Sequence, residues 1–443
     1  MFNDFIVSNF KKIILIIFGL FLLVIVSKSL ISILIIFIFA IISFIIATNK
    51  KNIKDSKKVQ LLERNAVPIA FIILIIFNIF GIVKTLTGTI EEKQNISLLF
   101  VGVTFYILSA GAYISDYKFD NTQNYKNEFI NFFLYLVLPF KLLAGPLENP
   151  QLINQFKNIS FNFLRTSRNL YCFSWISVGL FMKFVIGSRL TPSELLNFTD
   201  PLGSFICAFI FELKFYFDFA GYSLIVFGLA RLFNLKITLN FNHPFTAKNV
   251  VEFWHKWHVS LGKFLQRYIL IKHVNFLKNR LQKALFASFI FVISAMWHGG
   301  TLNYLFWGLF HGIIYLFYIQ YFKNKNINKI FGYFGMFLFF VFGRMIAIDI
   351  NSGRLIEKWY NYFSFNSYSN ISLNQINELF ILGTSTKSVF IIFFIFIIFE
   401  FWQVKIMKRS SYHFFRRPIM SVFFFIVTIL FGFNSMELLY ARI

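Results

Sequence analysis

Long uninterrupted apolar runs set the first constraint on this chain. Ile13–Val26, Leu30–Ala47, Val67–Val83, Leu98–Ile114, Val389–Phe401 and Ser421–Phe433 are the clearest. Several approach the roughly 20 residues that cross the hydrocarbon of a bilayer. Hydrocarbon offers the backbone no partners, so a spanning segment must be a helix or part of a closed barrel. Alternating segments of about ten residues, the mark of a barrel, are absent. The expected fold class is therefore all-α, a polytopic integral membrane protein with roughly 10–13 transmembrane or re-entrant helices.

Composition supports this. Of 443 residues, 57% are hydrophobic and 14% charged, where a soluble domain carries about a quarter charged residues. The net charge of +24 does not point to nucleic acid, because Lys and Arg sit in the connections, as cytoplasmic loops require. One cluster holds Lys50, Lys51, Lys54, Lys57, Lys58 and Arg64, and another Lys405, Lys408, Arg409, Arg416 and Arg417. Both are expected to be cytoplasmic, near anionic headgroups of the membrane lipids. Two spans precede the first cluster and one follows the second, which puts the N-terminus inside and the C-terminus outside. Cys172 and Cys207 lie in apolar runs, with no disulfide framework or zinc spacing. Lys11 and Lys12 before an apolar stretch resemble a signal peptide. No small-x-small site follows and a second span comes almost at once, so the segment reads as an uncleaved anchor.

The whole chain, 1–443, reads as one integral membrane domain. The longest polar stretches are Asn49–Asn65, Tyr117–Glu128, Gln151–Arg168 and Trp359–Glu378. None could bury its own core, and the last, rich in Asn, Ser and Tyr, reads as a surface loop. The ends are plain Ile/Phe/Leu helices. From about Leu138 to Gly312 the apolar runs carry polar insertions: "LPFKLLAGPLENP", "FELKFYFDFAGYS", "LNFNHPF", "EFWHKWHVSLGKFLQRYILIK" and "MWHGG". Polar residues at membrane depth are expensive and usually face a protein interior or a water-filled cavity. Pro139, Pro146, Pro150 and Pro244 break helices where freed backbone groups must line protein or water. The middle therefore reads as a chamber and the ends as its hydrophobic wrapping.

Six of the seven histidines fall between His243 and His311. Imidazole titrates near neutrality, so it serves as a general base or a metal ligand. His298 follows Trp297 and precedes Gly299 and Gly300, near the end of an apolar run. Small residues there let a substrate approach, and a functional role is the default for an intramembrane ionisable group; the competing reading is a buried histidine bonded to a carbonyl. Trp254, Trp257, His258, Leu261, Phe264 and Leu265 share one face at helical spacing. That pattern resembles an amphipathic or re-entrant helix with Trp at the interface. His255 lies more on the other side. His255 and His258 could share a metal only in principle, because no Cys or carboxylate follows at ligand spacing; no metal site is expected. His311 lies thirteen residues beyond His298, roughly 20 Å if the helix is continuous; it is structural or lines a pathway. Asp218 sits in an apolar run and needs a partner; a structural role competes evenly with a chemical one. No G-x-S-x-G, P-loop or Rossmann pattern occurs. Histidines without a protein nucleophile suit direct transfer, in which an imidazole takes a hydroxyl proton and that oxygen attacks an activated acyl group.

"YFDFAGYSLIVFGLARLFNLKITLNFNHPFTAKNVVEFWHKWHVSLGKFLQRYIL" with "MWHGGTLNYLFWGLFHG" resembles the membrane-bound O-acyltransferase (MBOAT) family, in its bacterial alginate O-acetyltransferase, peptidoglycan O-acetyltransferase and D-alanyl transfer branch. The resemblance marks 101–349 as a catalytic core and leaves 1–97 and 388–443 as peripheral transmembrane helices. It implies helices arranged around a central tunnel. It implies that His298 is the catalytic residue of the W-H-G motif, with His258 of the F-W-x-x-W-H segment beside it. Trp254, Trp257, Asp218, Asn242, Trp297, Asn303 and His311 are the expected substrate-binding residues. The chain departs from the pattern at His255 and Lys256, and at Gln266-Arg267-Tyr268, where the usual Asp between Arg and Tyr is missing.

The expected function is transfer of an acyl group, acetyl foremost, to a hydroxyl of an extracytoplasmic cell-surface polysaccharide or to a partner acyltransferase. The donor would be a cytoplasmic thioester, acetyl-CoA or an acyl carrier protein, acting as co-substrate with no bound cofactor. The expected location is the bacterial inner (plasma) membrane. Transfer of D-alanine from a carrier protein to teichoic acid is the alternative within the class. A proton-coupled transporter or flippase is the alternative outside it, disfavoured by the absence of an internal repeat.

Overall fold

A computed structural model of the chain describes residues 2–27, 31–53, 55–87, 103–118, 125–141, 145–160, 166–190, 195–298, 302–323, 325, 328–348, 352–368, 377–378, 381, 387–406 and 417–432. Helices account for nearly all regular structure, and no strand occurs among the described residues. Five described helices are long and apolar enough to cross a membrane: Ser56–Ile76, Asn169–Arg189, Arg280–His298, Leu302–Phe322 and Lys329–Ile348. Ile33–Asn49 and Pro418–Phe431 are shorter apolar helices. Apolar side chains on these helices remain exposed, among them Ile72, Phe289, Ile313, Phe334, Ile419 and Ile429. In water such exposure would be costly; in a bilayer it is the lipid-facing surface. The protein is thus an all-helical integral membrane protein. Lys54, Gly299, Gly300, Lys408, Arg409 and Arg416 lie outside the described residues.

The chain packs as two compact units, each built from separated stretches. The first takes residues 1–172, 226–239 and 260–278. It contains α1 (Phe2–Ser27), α2 (Ile31–Asn49), α3 (Ser56–Thr87), α4 (Val103–Asp116) and α5 (Tyr125–Val137). A Cβ on Gly19 would lie 2.0 Å from the Val137 carbonyl oxygen, so only glycine lets α1 approach the end of α5 this closely. Between α2, α4 and α5 the aromatics interlock. Tyr113 and Phe132 stack at 4.1 Å, and Phe44 meets Phe129 edge-on at 5.2 Å; each such pair adds about 0.5–1.5 kcal/mol beyond area burial. Buried Lys50 is satisfied by Glu63 Oε1 at 2.9 Å and by the carbonyls of Ile114 (2.7 Å) and Tyr117 (2.8 Å). The carboxylate missing from Gln266-Arg267-Tyr268 comes from elsewhere in the chain. Asp116 Oδ2, at the end of α4, accepts from Arg267 Nη2 at 2.8 Å and from Tyr268 Oη at 2.7 Å.

The second unit takes residues 173–225, 240–259 and 279–443. α6 (Thr166–Leu180) runs into a π-helical turn at Phe181–Ile186, and α7 is Pro201–Leu232. These helices cross at two glycines. A Cβ on Gly221 would lie 2.7 Å from the Gly179 carbonyl, and one on Gly179 would lie 2.5 Å from that of Gly221. α11 (Arg280–His298) and α12 (Leu302–Phe317) form an antiparallel hairpin; α8 to α10 are given below with the site. Gly308 faces Val292 and Ala295, and Gly312 faces Ser288. Small residues at such contacts let backbones approach in lipid, where no hydrophobic force drives helices together. α13 (Lys329–Ile348), α14 (Ser352–Phe363), α15 (Lys387–Phe401) and α16 (Pro418–Phe431) complete the unit.

Two buried ion pairs hold these helices in register. Lys183 Nζ meets Asp218 Oδ1, and Arg344 Nε donates to Glu212 Oε2 at 2.6 Å. Part of the stretch read as a surface loop, Trp359–Glu378, is helical. Trp359–Phe363 ends α14 and Phe365–Tyr368 is a 3-10 turn. The cause is amphipathicity: Leu355, Lys358 and Trp359 turn inward while Ile356, Tyr360 and Phe363 face out.

Candidate active site

The candidate site residues of the sequence analysis all fall in the second unit. The foundation of the site is the stretch Asn240–Val259. Asn249 caps α8 (Val250–Trp254) by accepting from Glu252 N at 2.8 Å, and Glu252 Oε2 reaches back to Lys248 N at 3.0 Å. α8 lasts five residues. The chain then turns through 255–258 before α9 (Val259–Leu265), and the π turn Gln266–Leu270 leads into α10 (Ile271–Val274). The continuous amphipathic helix expected over Trp254–Leu265 is therefore broken. His258 sits at φ 45°, in the left-handed region that a non-glycine residue avoids. Two backbone bonds hold the turn: Asn242 N donates to Lys256 O and Val259 N to Asn240 O, both at 2.9 Å. Asn242 thus acts here through its backbone.

Trp257 is buried, stacked on Phe215 at 5.8 Å and edge-on to Phe241 at 5.0 Å. It anchors the turn. His258 is 5% exposed and meets the edge of Phe219 at 4.9 Å. Burial, and next the charge His298 would carry, push its pKa down to about 3. His258 is therefore a neutral imidazole at physiological pH, within electrostatic reach of His298.

His298 ends α11, half-buried, with the Trp297 ring at 4.6 Å and the Trp307 ring edge-on at 6.2 Å. Trp307 also meets His311 at 4.6 Å. The distance of a continuous helix does not apply between the two histidines, because the hairpin folds α12 back along α11. His311 is buried among Trp254 (5.2 Å), Phe339 (4.7 Å) and Trp307. Gly343 abuts it, and a Cβ there would lie 2.9 Å from His311 Nε2. Asn303 Nδ2 donates to the Ala347 carbonyl at 3.1 Å, tying α12 to α13. Asp218 is engaged by Lys183.

α12 divides its faces. Trp307 and His311 meet His298 and Trp254, while Phe306, Leu309, Phe310 and Ile313 line an apolar cavity of about 900 Å³ against Trp359 and Tyr360 of α14. Among the described residues no cluster of His, Cys, Asp or Glu could hold a metal ion.

Sequence reasoning assigned no role to several groups. Arg344 lies within electrostatic reach of His298 and His311, with its guanidinium 4.4 Å from the Phe215 ring centroid. Its signal was a lone charge in an apolar run. Lys183, Glu212 and Glu400 carried the same signal. Trp307 carried none apart from its neighbours.

A family model described as MBOAT, membrane-bound O-acyltransferase family, matches residues 20–351. A peptidoglycan O-acetyltransferase of Helicobacter pylori is 32% identical over 199 residues, 42% of this chain and 37% of the relative. A probable alginate O-acetylase AlgI of Azotobacter vinelandii is 27% identical over 220 residues, 48% of this chain and 43% of the relative. A teichoic acid D-alanyltransferase of Bacillus subtilis is 29% identical over 163 residues, 34% of this chain and 41% of the relative. In each case the matched region spans less than half of the relative's length.

Proposed function

The chain belongs to the membrane-bound O-acyltransferase family; from that premise we propose that it is an acyltransferase that moves an acetyl group from a cytoplasmic thioester to a hydroxyl of an extracytoplasmic cell-surface glycan, directly or through a partner enzyme. The thioester is acetyl-CoA or an acyl carrier protein, and the membrane is the bacterial inner (plasma) membrane. The observation that carries the reading is that two imidazoles lie within electrostatic reach of each other, His298 beside Trp297 and Trp307 and His258 against Phe219.

His298 acts as general base. It takes the proton of the acceptor hydroxyl, and the oxygen attacks the thioester carbonyl. The carbonyl re-forms, the carbon–sulfur bond breaks, and the proton passes from His298 to the departing thiolate. His258, kept neutral by burial, offers a ring N–H to the oxyanion of the tetrahedral intermediate without adding a charge to the site. Trp254, Trp257, Trp297, Asn303, His311, Asn242 and Asp218 shape the surroundings. Confinement of both substrates supplies much of the rate.

The test is His298→Ala in cells and in purified membranes. Acyl esters on the glycan disappear while the protein accumulates normally; an undiminished ester yield refutes the assignment. The relatives named as teichoic acid D-alanyltransferases in Bacillus subtilis and Streptococcus thermophilus support a second reading, transfer of D-alanine to teichoic acid. The mass of the released acyl group separates the two.

A further inference from the structure

Glu400 is the most deeply buried acid in the described chain, 0% exposed, on an otherwise uncharged stretch of α15. Its Oε1 accepts from Tyr216 Oη at 2.6 Å and lies 3.1 Å from His243 Nδ1. The other ring nitrogen, His243 Nε2, is 3.1 Å from Gln403 Nε2, on the π-helical turn Trp402–Ile406 that continues α15. With Gln403 as donor, His243 Nε2 accepts and the ring proton sits on Nδ1, whose approach to Glu400 is an electrostatic contact. The same π-helical turn sends Lys405 to within 3.9 Å of Glu252, the residue that closes the cap of α8.

His243 is itself in a left-handed conformation, φ 53°, immediately before Pro244. Such a residue persists only where its surroundings over-determine it. Thr246 N and Oγ1 bond its carbonyl at 3.1 and 2.7 Å, and Glu400 and Gln403 hold its ring. The segment so fixed, Asn240–His243, is the backbone partner of the turn carrying His258, through the two bonds from Asn242 and Val259. Tyr216 extends the link, meeting Phe241 at 5.8 Å and Trp257 at 6.3 Å.

We propose that Glu400, with Gln403, is a positioning residue for His258: it fixes His243 and Tyr216, which hold Asn240–His243 and Trp257 so that the 255–258 turn keeps its left-handed bend. The inference rests on the catalytic reading of His258. It adds to that reading a clamp from the late helix α15, reaching a turn far earlier in sequence. The carboxylate acts as a fixed acceptor, so a neutral acceptor of the same shape serves in its place.

The experiment uses the full-length protein in nanodiscs, comparing wild type with Glu400→Ala, Glu400→Gln and Gln403→Ala. Hydrogen exchange of peptides covering 240–259 is the readout independent of catalysis. In Glu400→Ala and Gln403→Ala these amides exchange about tenfold faster or more, while peptides of α11 and α12 are unchanged. In the same variants kcat falls about tenfold or more, with KM for the thioester within about twofold of wild type. Glu400→Gln keeps exchange and kcat near wild type. Wild-type exchange at 240–259 in both truncations overturns the proposal, as does wild-type kcat in either. Should Glu400→Ala fail to accumulate, Gln403→Ala decides in the same two ways. If wild type itself transfers no acyl group, the catalytic reading fails, and the exchange data alone decide whether the clamp exists.

Discussion

Asp218→Asn separates architecture from chemistry at a residue whose sequence context allows either. Asp218 and Lys183 are 9% and 6% exposed as side chains, and the carboxylate Oδ1 meets the ammonium directly. Removing one charge of such a pair leaves the other buried and uncompensated, at about 3–5 kcal/mol. That lowers the folded-to-unfolded ratio by roughly a hundred- to a few thousandfold. The attraction between two buried charges barely exceeds the cost of drying them, so Lys183→Met with Asp218→Leu is expected to recover most of the loss. Denaturant unfolding in one fixed detergent measures both variants, and acyl transfer is assayed on the same preparations. Asp218→Asn is expected to be unstable and weakly active, and the double variant stable and active. A double variant that is fully stable yet transfers nothing would refute the architectural role and return Asp218 to the reacting groups.

Three further expectations follow from the packing. Gly308→Val places branched carbon where even a Cβ would lie 2.8 Å from Val292 Cα. The α11–α12 hairpin must part, at about 1–3 kcal/mol, and transfer falls with it; wild-type turnover would show that the hairpin does not set the site. Asp116→Ala removes the acceptor shared by Arg267 and Tyr268. Arg267 is 40% exposed and loses little, but Tyr268 is buried and its hydroxyl is left without this acceptor, so the expected loss is about 1–3 kcal/mol, read from the unfolding midpoint. For His258, burial places the folded pKa near 3, below the ordinary value of 6.5. Between these values the unfolded chain binds more protons, so its stabilising share is complete above pH 6.5 and lost as pH falls toward 3, at most about 5 kcal/mol. Comparing unfolding midpoints of wild type and His258→Gln from pH 7 to pH 4 checks this: the difference between them must change with pH in that sense.

The helical membrane class was legible because apolar run length answers directly to bilayer thickness. His298 and His258 were legible because imidazoles and glycines stand out against Phe, Ile and Leu. What joins them was not. Helical spacing puts Trp254, Trp257 and His258 on one face, and nothing local to Phe253–His258 announces a break. The left-handed bend at His258 is imposed by bonds from Asn240 and Asn242. Partners separated in sequence were equally hidden. Lys183 and Asp218 are 35 positions apart and Tyr216 and Glu400 are 184 apart, and only packing pairs them. Asp116 taking the place of an acid missing beside Arg267 is the same effect across 151 positions.

The π-helical turns give the fold an unusual tolerance and an unusual vulnerability. A wide turn of this kind holds one residue more than the surrounding helix needs, so excision of a residue there restores an ordinary spiral rather than tearing one. Side chains beyond the excised residue keep their places, whereas those inside the turn shift around the axis by up to about 100°. In Trp402–Ile406 that shift would carry the amide of Gln403 and the ammonium of Lys405 away from His243 and Glu252, so shortening this helix end by a single residue should preserve insertion into the membrane while lowering acyl transfer.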